Sequence, residues 1–202
     1  MLISLIKQTS PGRLTVCLDG GEEIRTTLGV VTDMRLYNGL ELDAAALDAL
    51  RQASSRAIAR ERAMEYLSSR PMSCMELHNK LIEKGESEET ADYCVQWLRD
   101  NALIDDASYA AAVARHYSAK GYGEGRVRAE LRRRGIDREL WDDALGSMPR
   151  PDDKLDRFIA SRLKDPSDRD QIRKIGAALY RRGYSWDEIR HALARYDADP
   201  ED

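Results

Sequence analysis

Apolar residues at helical spacing recur three times along the chain, and each time a basic residue and a glycine follow them. The apolar pairs are Leu77/Leu81, Val127/Leu131 and Ile175/Leu179, and the basic-glycine pairs are Lys84-Gly85, Arg134-Gly135 and Arg182-Gly183. The glycines are 50 and 48 residues apart, and a second apolar pair follows each at a shared offset: Cys94-Val95, Ala144-Leu145 and Ala192-Leu193. This regularity predicts a mainly α-helical tandem array of three three-helix repeats, an architecture that builds an extended binding surface.

The first 42 residues carry a different pattern. Leu14, Val16 and Leu18 alternate with polar positions, and a turn at residues 19–21 separates them from Ile24. Strict alternation with a Gly-containing turn predicts a small β-hairpin, which is too small to be stable alone and should pack on the first helix. Asp43 is placed to cap that long helix.

Helix start and stop signals divide the rest of the chain. Pro71 ends or interrupts the long helix, and Ser73 and Glu76 have the spacing of a capping box, as do Ser185 and Glu188. We therefore predict five segments: a β-element at 1–42, a first repeat with its long lead-in helix at 43–104, a second repeat at 105–149, a third at 150–196, and an acidic tail at 197–202.

The composition fits small helical cores. The 202 residues include one Phe, three Trp and nine Tyr, and 42% of the chain is hydrophobic. No apolar run approaches the roughly 18 residues of a membrane span, and the opening residues lack a signal-peptide pattern, so we expect a cytoplasmic protein. Three cysteines without a CxxC pair predict reduced thiols rather than disulfides or zinc.

The charge is uneven although the net charge is only −4. Residues 71–106 have a balance of −6, residues 113–138 of +5, and residues 169–195 of +4. Such asymmetry favours a binder that meets its partner in one orientation.

The middle helix of the second repeat is the best candidate for partner contact. With Val127 and Leu131 inward, two arginine pairs flank its outer face, spaced to meet phosphates or carboxylates. We expect the contacts from Arg115, Lys120, Arg126, Arg128, Arg132 and Arg133, with Arg181 and Arg190 as a second patch. A solvated charged face without a partner is the alternative.

Other features have structural explanations. Lys84, Arg134 and Arg182 recur at predicted helix C-termini, where a cation interacts favourably with the helix dipole. The Gly121-x-Gly123-x-Gly125 run follows a helix and has no Lys-Ser/Thr after it, so it predicts a hinge or tight turn rather than a nucleotide loop. Trp97, Trp141 and Trp186 belong to the closing helices and are expected to pack, although an exposed one would be able to stack on a base.

No catalytic or metal-binding set is evident. His78, His116 and His191 lie in separate repeats, none at ligand spacing, and no Ser/His/Asp or Cys/His set is present. We expect no cofactor, no metal and no enzymatic activity.

Three motifs between residues 60 and 145 stand in a fixed order. They are Arg70-Pro71-x-Ser73-x-x-Glu76-Leu77-x-x-Lys80-Leu81-x-x-Lys84-Gly85, then Leu103-Ile104-Asp105-Asp106-x-x-Tyr109-Ala110, then Gly121-Tyr122-Gly123 with Glu130-Leu131-x-x-Arg134-Gly135-Ile136. Together they resemble the RecX family, the bacterial modulators of the RecA recombinase. Tyr109 stands where that family usually has Phe, and the overall acidity is less typical of it.

The resemblance implies a non-enzymatic, monomeric regulator active in DNA repair, recombination and the SOS response. It would lie in the groove of the RecA–single-stranded-DNA filament and restrain ATP hydrolysis, strand exchange and repressor cleavage, with single- or double-stranded DNA as a further partner. The alternative is a direct nucleic-acid-binding protein built from helix-turn-helix-like units, whose basic helices enter a groove.

Overall fold

A computed structural model describes residues 1–149 and 152–197 of the chain. The strands are β1 (Ile3–Ser10), β2 (Arg13–Leu18) and β3 (Glu23–Thr27). The helices are α1 (Leu28–Asp33), α2 (Ala44–Ser69), α3 (Cys74–Glu83), α4 (Glu88–Asp100), α5 (Asp106–Ala119), α6 (Glu124–Arg133), α7 (Trp141–Gly146), α8 (Asp152–Ala160), α9 (Arg169–Arg181) and α10 (Trp186–Ala194), with a 3-10 turn (Arg138–Leu140) before α7. The predicted fold class, mainly helical with a small amino-terminal β-element, is confirmed. Residues 150, 151 and 198–202, where the sequence predicts the start of the third repeat and most of the acidic tail, lie outside the described residues.

The chain packs as two units, each with its own contacts. The first comprises Met1–Met72 and Glu76–Ile104, and the second comprises Ser73–Met75 and the described residues from Asp105 onward. Among the described residues, no helix is long and apolar enough to cross a membrane.

The amino-terminal sheet is antiparallel in the order β1-β2-β3, with one strand more than the sequence predicts. β2 and β3 are the predicted pair, with Val16 opposite Ile24 and Gly21 at a φ of 82° in the turn between them. The added strand buries Ile3 but exposes Leu5, so it lacks the alternation that identifies a half-buried strand. Its pairing with β2 is what makes it a strand.

The sheet packs on α2, as the sequence predicts. The Asp43 carboxylate caps this helix by accepting a hydrogen bond from the Ala46 amide at 2.7 Å, and the Ser54 hydroxyl donates to the Thr26 hydroxyl at 2.8 Å inside the packed face. The helix ends at Ser69, just before Arg70-Pro71, because a residue that precedes proline disfavours the α conformation. The shared core consists of Ile3, Val16, Leu18, Ile24, Val30, Leu36, Leu42, Leu47, Leu50 and Ala57.

Helices α3 and α4 meet at the first of the predicted glycine stops. Gly85 has a φ of 92°, and its N–H donates to the Ile82 carbonyl at 2.9 Å, so α3 ends in the left-handed cap that glycine favours. The Ser87 hydroxyl then caps α4 by accepting from the Thr90 amide at 3.2 Å.

The second unit contains two three-helix repeats with separate apolar cores. The core of α5, α6 and α7 consists of Ala110, Val113, Ala114, Val127, Leu131, Ile136, Trp141, Ala144 and Leu145. The core of α8, α9 and α10 consists of Leu155, Ile159, Ile172, Ile175, Leu179, Tyr184, Ile189, Ala192 and Leu193. These helices carry the apolar pairs that the period picked out.

Side-chain caps begin helices of the second unit, and the predicted capping box at Ser185 is complete. The Asp105 carboxylate accepts from the Ala107 and Ser108 amides, and Ser185 forms the complete capping box with Glu188. Trp141 is a packing residue, as expected, and its indole N–H donates to the Ile136 carbonyl at 3.0 Å. The capping box at Ser73 stays a prediction, while the Ser73 hydroxyl donates to the Arg134 carbonyl.

Candidate partner-binding groove

The basic helix α6 is held by an apolar inner face. Val127 and Leu131 are fully buried, while Arg126 and Arg132 are exposed. Arg134, directly after the last residue of the helix, keeps only 19% of its side chain exposed. The helix therefore turns most of its arginines outward because its leucine and valine are fixed in the core of the second repeat.

The buried carboxylate of Glu130 on α6 forms an ion pair with Arg133, one of the predicted contact residues. Glu130 lies 2.5 Å from a guanidinium nitrogen of Arg133 and 2.8 Å from one of Arg134, and Arg134 also donates to the Tyr109 hydroxyl. Hydrogen bonds from Arg133, and then from Arg134, lower the pKa of the Glu130 carboxyl from 4.5 to about 2, against the opposing effect of burial. Arg133 is thus engaged by its own helix, which the sequence pattern did not reveal.

An open groove of about 810 Å³ runs between α6 and the α9–α10 turn within the second unit. Three of the eight predicted contact residues line it: Arg126 and Arg128 from α6, and Arg181 from α9. Glu124 and Glu188 line it as well. The fold thus brings together arginines from both predicted patches.

The carboxylates of the groove are already engaged. Glu188 belongs to the Ser185 capping box, and Glu124 lies 3.6 Å from Arg128, which is also 3.4 Å from Asp142. Within the part of the chain that the structure describes, Arg126 and Arg181 have no carboxylate partner within 4 Å. Two guanidinium groups thus face the groove free to form charge-assisted hydrogen bonds with an acidic group.

The other predicted residues do not line this groove. Arg115 and Lys120 are exposed on α5 and at its end, and Arg132 lies 5.7 Å from the centre of the Trp141 ring. Arg190 is paired with Asp187 at 3.1 Å. Each is on the surface of the second unit, but the groove gathers none of them.

One aromatic side chain of the groove, Tyr180, was missed as a functional candidate, and Trp186, which was expected to pack, stacks on it. The Tyr180 and Trp186 rings are stacked at 5.4 Å with 19° between their planes, and 56% and 48% of the two residues are exposed. Tyr180 lines the groove, next in sequence to Arg181. The sequence did contain a signal for this site. Tyr180 lies just outside the apolar stripe of α9 and directly before Arg181. Trp186 is therefore not a core residue like Trp141.

The histidines and carboxylates form no metal site in the part of the chain described. No three His, Cys, Asp or Glu side chains come together in a way that would hold an ion. His78 is instead 3.0 Å from Asp92, its neighbour across the first unit's helix pair.

Three models of known domains match the chain in tandem. They describe the first, second and third three-helix domains of RecX and match residues 59–98, 105–145 and 159–193. Regulatory protein RecX of Levilactobacillus brevis is 32% identical over 209 residues, a span that covers the whole of this chain and 78% of that protein. Regulatory protein RecX of Vibrio campbellii is 31% identical over 144 residues, covering 69% of this chain and 92% of that protein.

Solved structures agree with the sequence matches. A crystal structure of regulatory protein RecX has a TM-score of 0.74 and 28% identity, covering 96% of this chain and 98% of that one. RecX from Lactobacillus salivarius has a TM-score of 0.63 at 24% identity, over 72% of this chain and 98% of that one, which shows a shared fold. The fold defines a mainly helical protein built from tandem three-helix repeats. More specifically, the chain belongs to the RecX family, whose members in these comparisons are named regulatory proteins.

Proposed function

We propose that this chain is a non-enzymatic regulator of the RecA recombinase that binds the groove of the RecA–single-stranded-DNA filament and inhibits its ATP hydrolysis, strand exchange and coprotease activities. Membership of the RecX family supports the choice of partner. The observation that carries the contact is the groove of the second unit, where Arg126 and Arg181 project without a carboxylate partner among the described residues. The domain boundaries of the array and a monomeric, cytoplasmic form belong to the same proposal.

The chemistry of the groove favours an acidic partner. The two guanidinium groups come from different helices, so a partner with two anionic groups at the right spacing gains from both at once. Exposed ion pairs within the groove contribute little to the stability of the fold. A partner can therefore replace them at little cost, which leaves most of the positive charge of the groove available for binding. Acidic side chains of a protein and phosphates of DNA are both suitable anions.

The test is single-stranded-DNA-dependent ATP hydrolysis by RecA, titrated with this chain and with charge-reversed variants. We expect wild type to inhibit below one molecule per RecA subunit, and Arg126→Glu with Arg181→Glu to raise the half-inhibiting concentration at least tenfold. Arg169→Glu with Arg173→Glu is the charge-matched control, because both arginines lie exposed on the same helix as Arg181 and neither lines the groove. A double variant that inhibits like wild type would remove the groove from the mechanism.

A second function, direct binding of nucleic acid, has one observation in its favour. The Tyr180 ring, backed by Trp186, offers an exposed aromatic face beside Arg181. Aromatic faces next to arginines are a common means of holding unstacked bases, each stack contributing about 1–3 kcal/mol. Tight, salt-sensitive binding to DNA without RecA, together with no effect of excess chain on RecA, would favour this function over filament regulation.

A further inference from the structure

The amino-terminal end of α6 is joined to the carboxyl-terminal end of α9 by main-chain hydrogen bonds. The Gly123 N–H donates to the Arg182 carbonyl at 3.0 Å, and the Gly125 N–H donates to the Gly183 carbonyl at 2.9 Å. The first amides and the last carbonyls of any helix lack partners in their own helix. Here each helix end supplies what the other lacks, and the positive end of one helix dipole meets the negative end of the other.

Glycine is required on both sides of this junction. A Cβ at Gly123 would lie 2.5 Å from the Gly183 carbonyl oxygen, and a Cβ at Gly183 would lie 2.2 Å from the Arg126 amide nitrogen. Gly125 is less constrained, with 3.1 Å to the Gly183 carbonyl oxygen. The absence of side chains is therefore what lets the two backbones come within hydrogen-bonding distance.

Side chains reinforce the junction from outside. The Arg182 guanidinium lies 4.6 Å from the centre of the Phe158 ring and 5.8 Å from that of Tyr122, and it donates to the Gly121 carbonyl at 3.4 Å. The Lys154 ammonium donates to the Ser118 carbonyl at 3.0 Å. Since the second and third repeats have separate apolar cores, these contacts fix how the two repeats meet.

The same joint recurs in a second form within the second unit. Ser73 stands twelve residues before Gly85, as Gly123 stands twelve residues before Gly135. The Ser73 hydroxyl donates to the Arg134 carbonyl, the counterpart of the Arg182 carbonyl that Gly123 binds. The carbonyl before the glycine thus accepts a hydrogen bond at both equivalent positions, from a side chain in one case and from the main chain in the other.

We propose that Gly123 and Gly183 are positioning residues: their junction holds the arginines of α6 and α9 on opposite sides of one groove in a fixed register. The Gly121-x-Gly123-x-Gly125 run thus contains one tight turn, at Gly121 with a φ of 75°, followed by a docking surface. A freely moving hinge would leave the Gly123 and Gly125 amides without partners, whereas here both are bonded across the junction.

Hydrogen exchange tests the junction without any partner. We expect the amides of residues 123 and 125 in the wild-type chain to exchange at least tenfold more slowly than unprotected loop amides. In Gly123→Ala this protection should be lost, while the core amides of α5 and α9 keep theirs and the helical circular dichroism stays unchanged. Gly125→Ala should lose less, and Gly146→Ala is the matched control because an added methyl there meets nothing within 4 Å.

Inhibition of RecA tests the positioning role, and this arm rests on the proposed function. We expect Gly123→Ala to raise the half-inhibiting concentration at least fivefold, Gly125→Ala to raise it less, and Gly146→Ala to leave it unchanged. If wild type has no effect on RecA, the proposed function fails and the exchange rates alone decide the junction.

Two results would overturn the inference. One is wild-type amides at 123 and 125 that exchange as fast as unprotected loop amides. The other is a Gly123→Ala chain that loses that protection yet inhibits RecA like wild type. If Gly123→Ala does not fold, the wild-type exchange rates and the milder Gly125→Ala variant test the junction in its place.

Discussion

At the residue scale, one buried carboxylate binds two arginines, one in the last turn of α6 and one directly after that helix. Glu130 is 4% exposed, and Arg133 and Arg134 both bind it. A buried charge without such partners would be strongly destabilising, so the arginines are needed where they are. A sequence pattern that scores Arg133 only by its outward direction therefore overstates its availability to a partner.

The low pKa of Glu130 predicts an acid-sensitive fold. Because the pKa in the folded state is about 2 and the usual value is 4.5, this carboxylate stabilises the fold fully above about pH 4.5. Its contribution is lost as the pH falls from 4.5 towards 2. We expect Glu130→Gln to lower the free energy of unfolding at pH 7 by roughly 2–3 kcal/mol and to flatten its decline below pH 4.5.

Urea denaturation at several pH values measures both effects. Glu139→Gln is the control, since Glu139 is an exposed carboxylate in the same repeat. If the free energy of unfolding has the same pH dependence in wild type and Glu130→Gln, the ion pairs of Glu130 do not stabilise the fold as described.

At the element scale, each basic-glycine pair ends a helix in the same way. Gly85, Gly135 and Gly183 all have positive φ, and in each case the next residue donates its amide back to the leucine four residues before the glycine. This is the Schellman arrangement, and it explains why the glycines keep their spacing from the apolar pairs. The cations before them have separate tasks, since Arg134 binds Glu130 and Arg182 binds the Gly121 carbonyl.

Gly85 allows the conformational cost of this turn to be measured by itself. An added methyl would meet nothing within 4 Å, so only the positive φ of 92° opposes a side chain. We expect Gly85→Ala to lower the free energy of unfolding by about 1–2 kcal/mol. Gly146→Ala has equal space at an ordinary φ and should leave stability unchanged or slightly raised. Equal losses in the two variants, measured by chemical denaturation, would show that the turn does not depend on φ.

At the scale of the whole molecule, positive charge is concentrated although the net charge is −4. Residues 113–138 and 169–195 have balances of +5 and +4, and both stretches belong to the second unit. An acidic partner is thus repelled by the molecule as a whole and attracted by one part of it, which favours one orientation on approach.

This charge distribution predicts inhibition that weakens with salt. We expect the half-inhibiting concentration to rise several-fold between about 50 and 200 mM salt, with RecA alone assayed at each concentration as the reference. The Arg126→Glu, Arg181→Glu variant should show a shallower dependence, because fewer counterions are displaced when it binds. An unchanged slope would place the electrostatic contact elsewhere on the chain.

The sequence alone determined the features that depend on a few neighbouring residues. The repeat period, the glycine stops, and the caps at Asp43 and Ser185 follow from local backbone chemistry, which acts within one or two helical turns. The RecX resemblance rests on such local motifs, and the comparisons confirm it.

Only the tertiary structure decided which distant groups meet. It joined Arg126 and Arg181 in one groove and paired Gly123 with the end of α9. It also made β1 a strand by laying it against β2, although the pattern of β1 does not alternate. The groove and the Gly123 junction depend on packing between segments far apart in the chain, and neither spacing nor composition identifies those contacts.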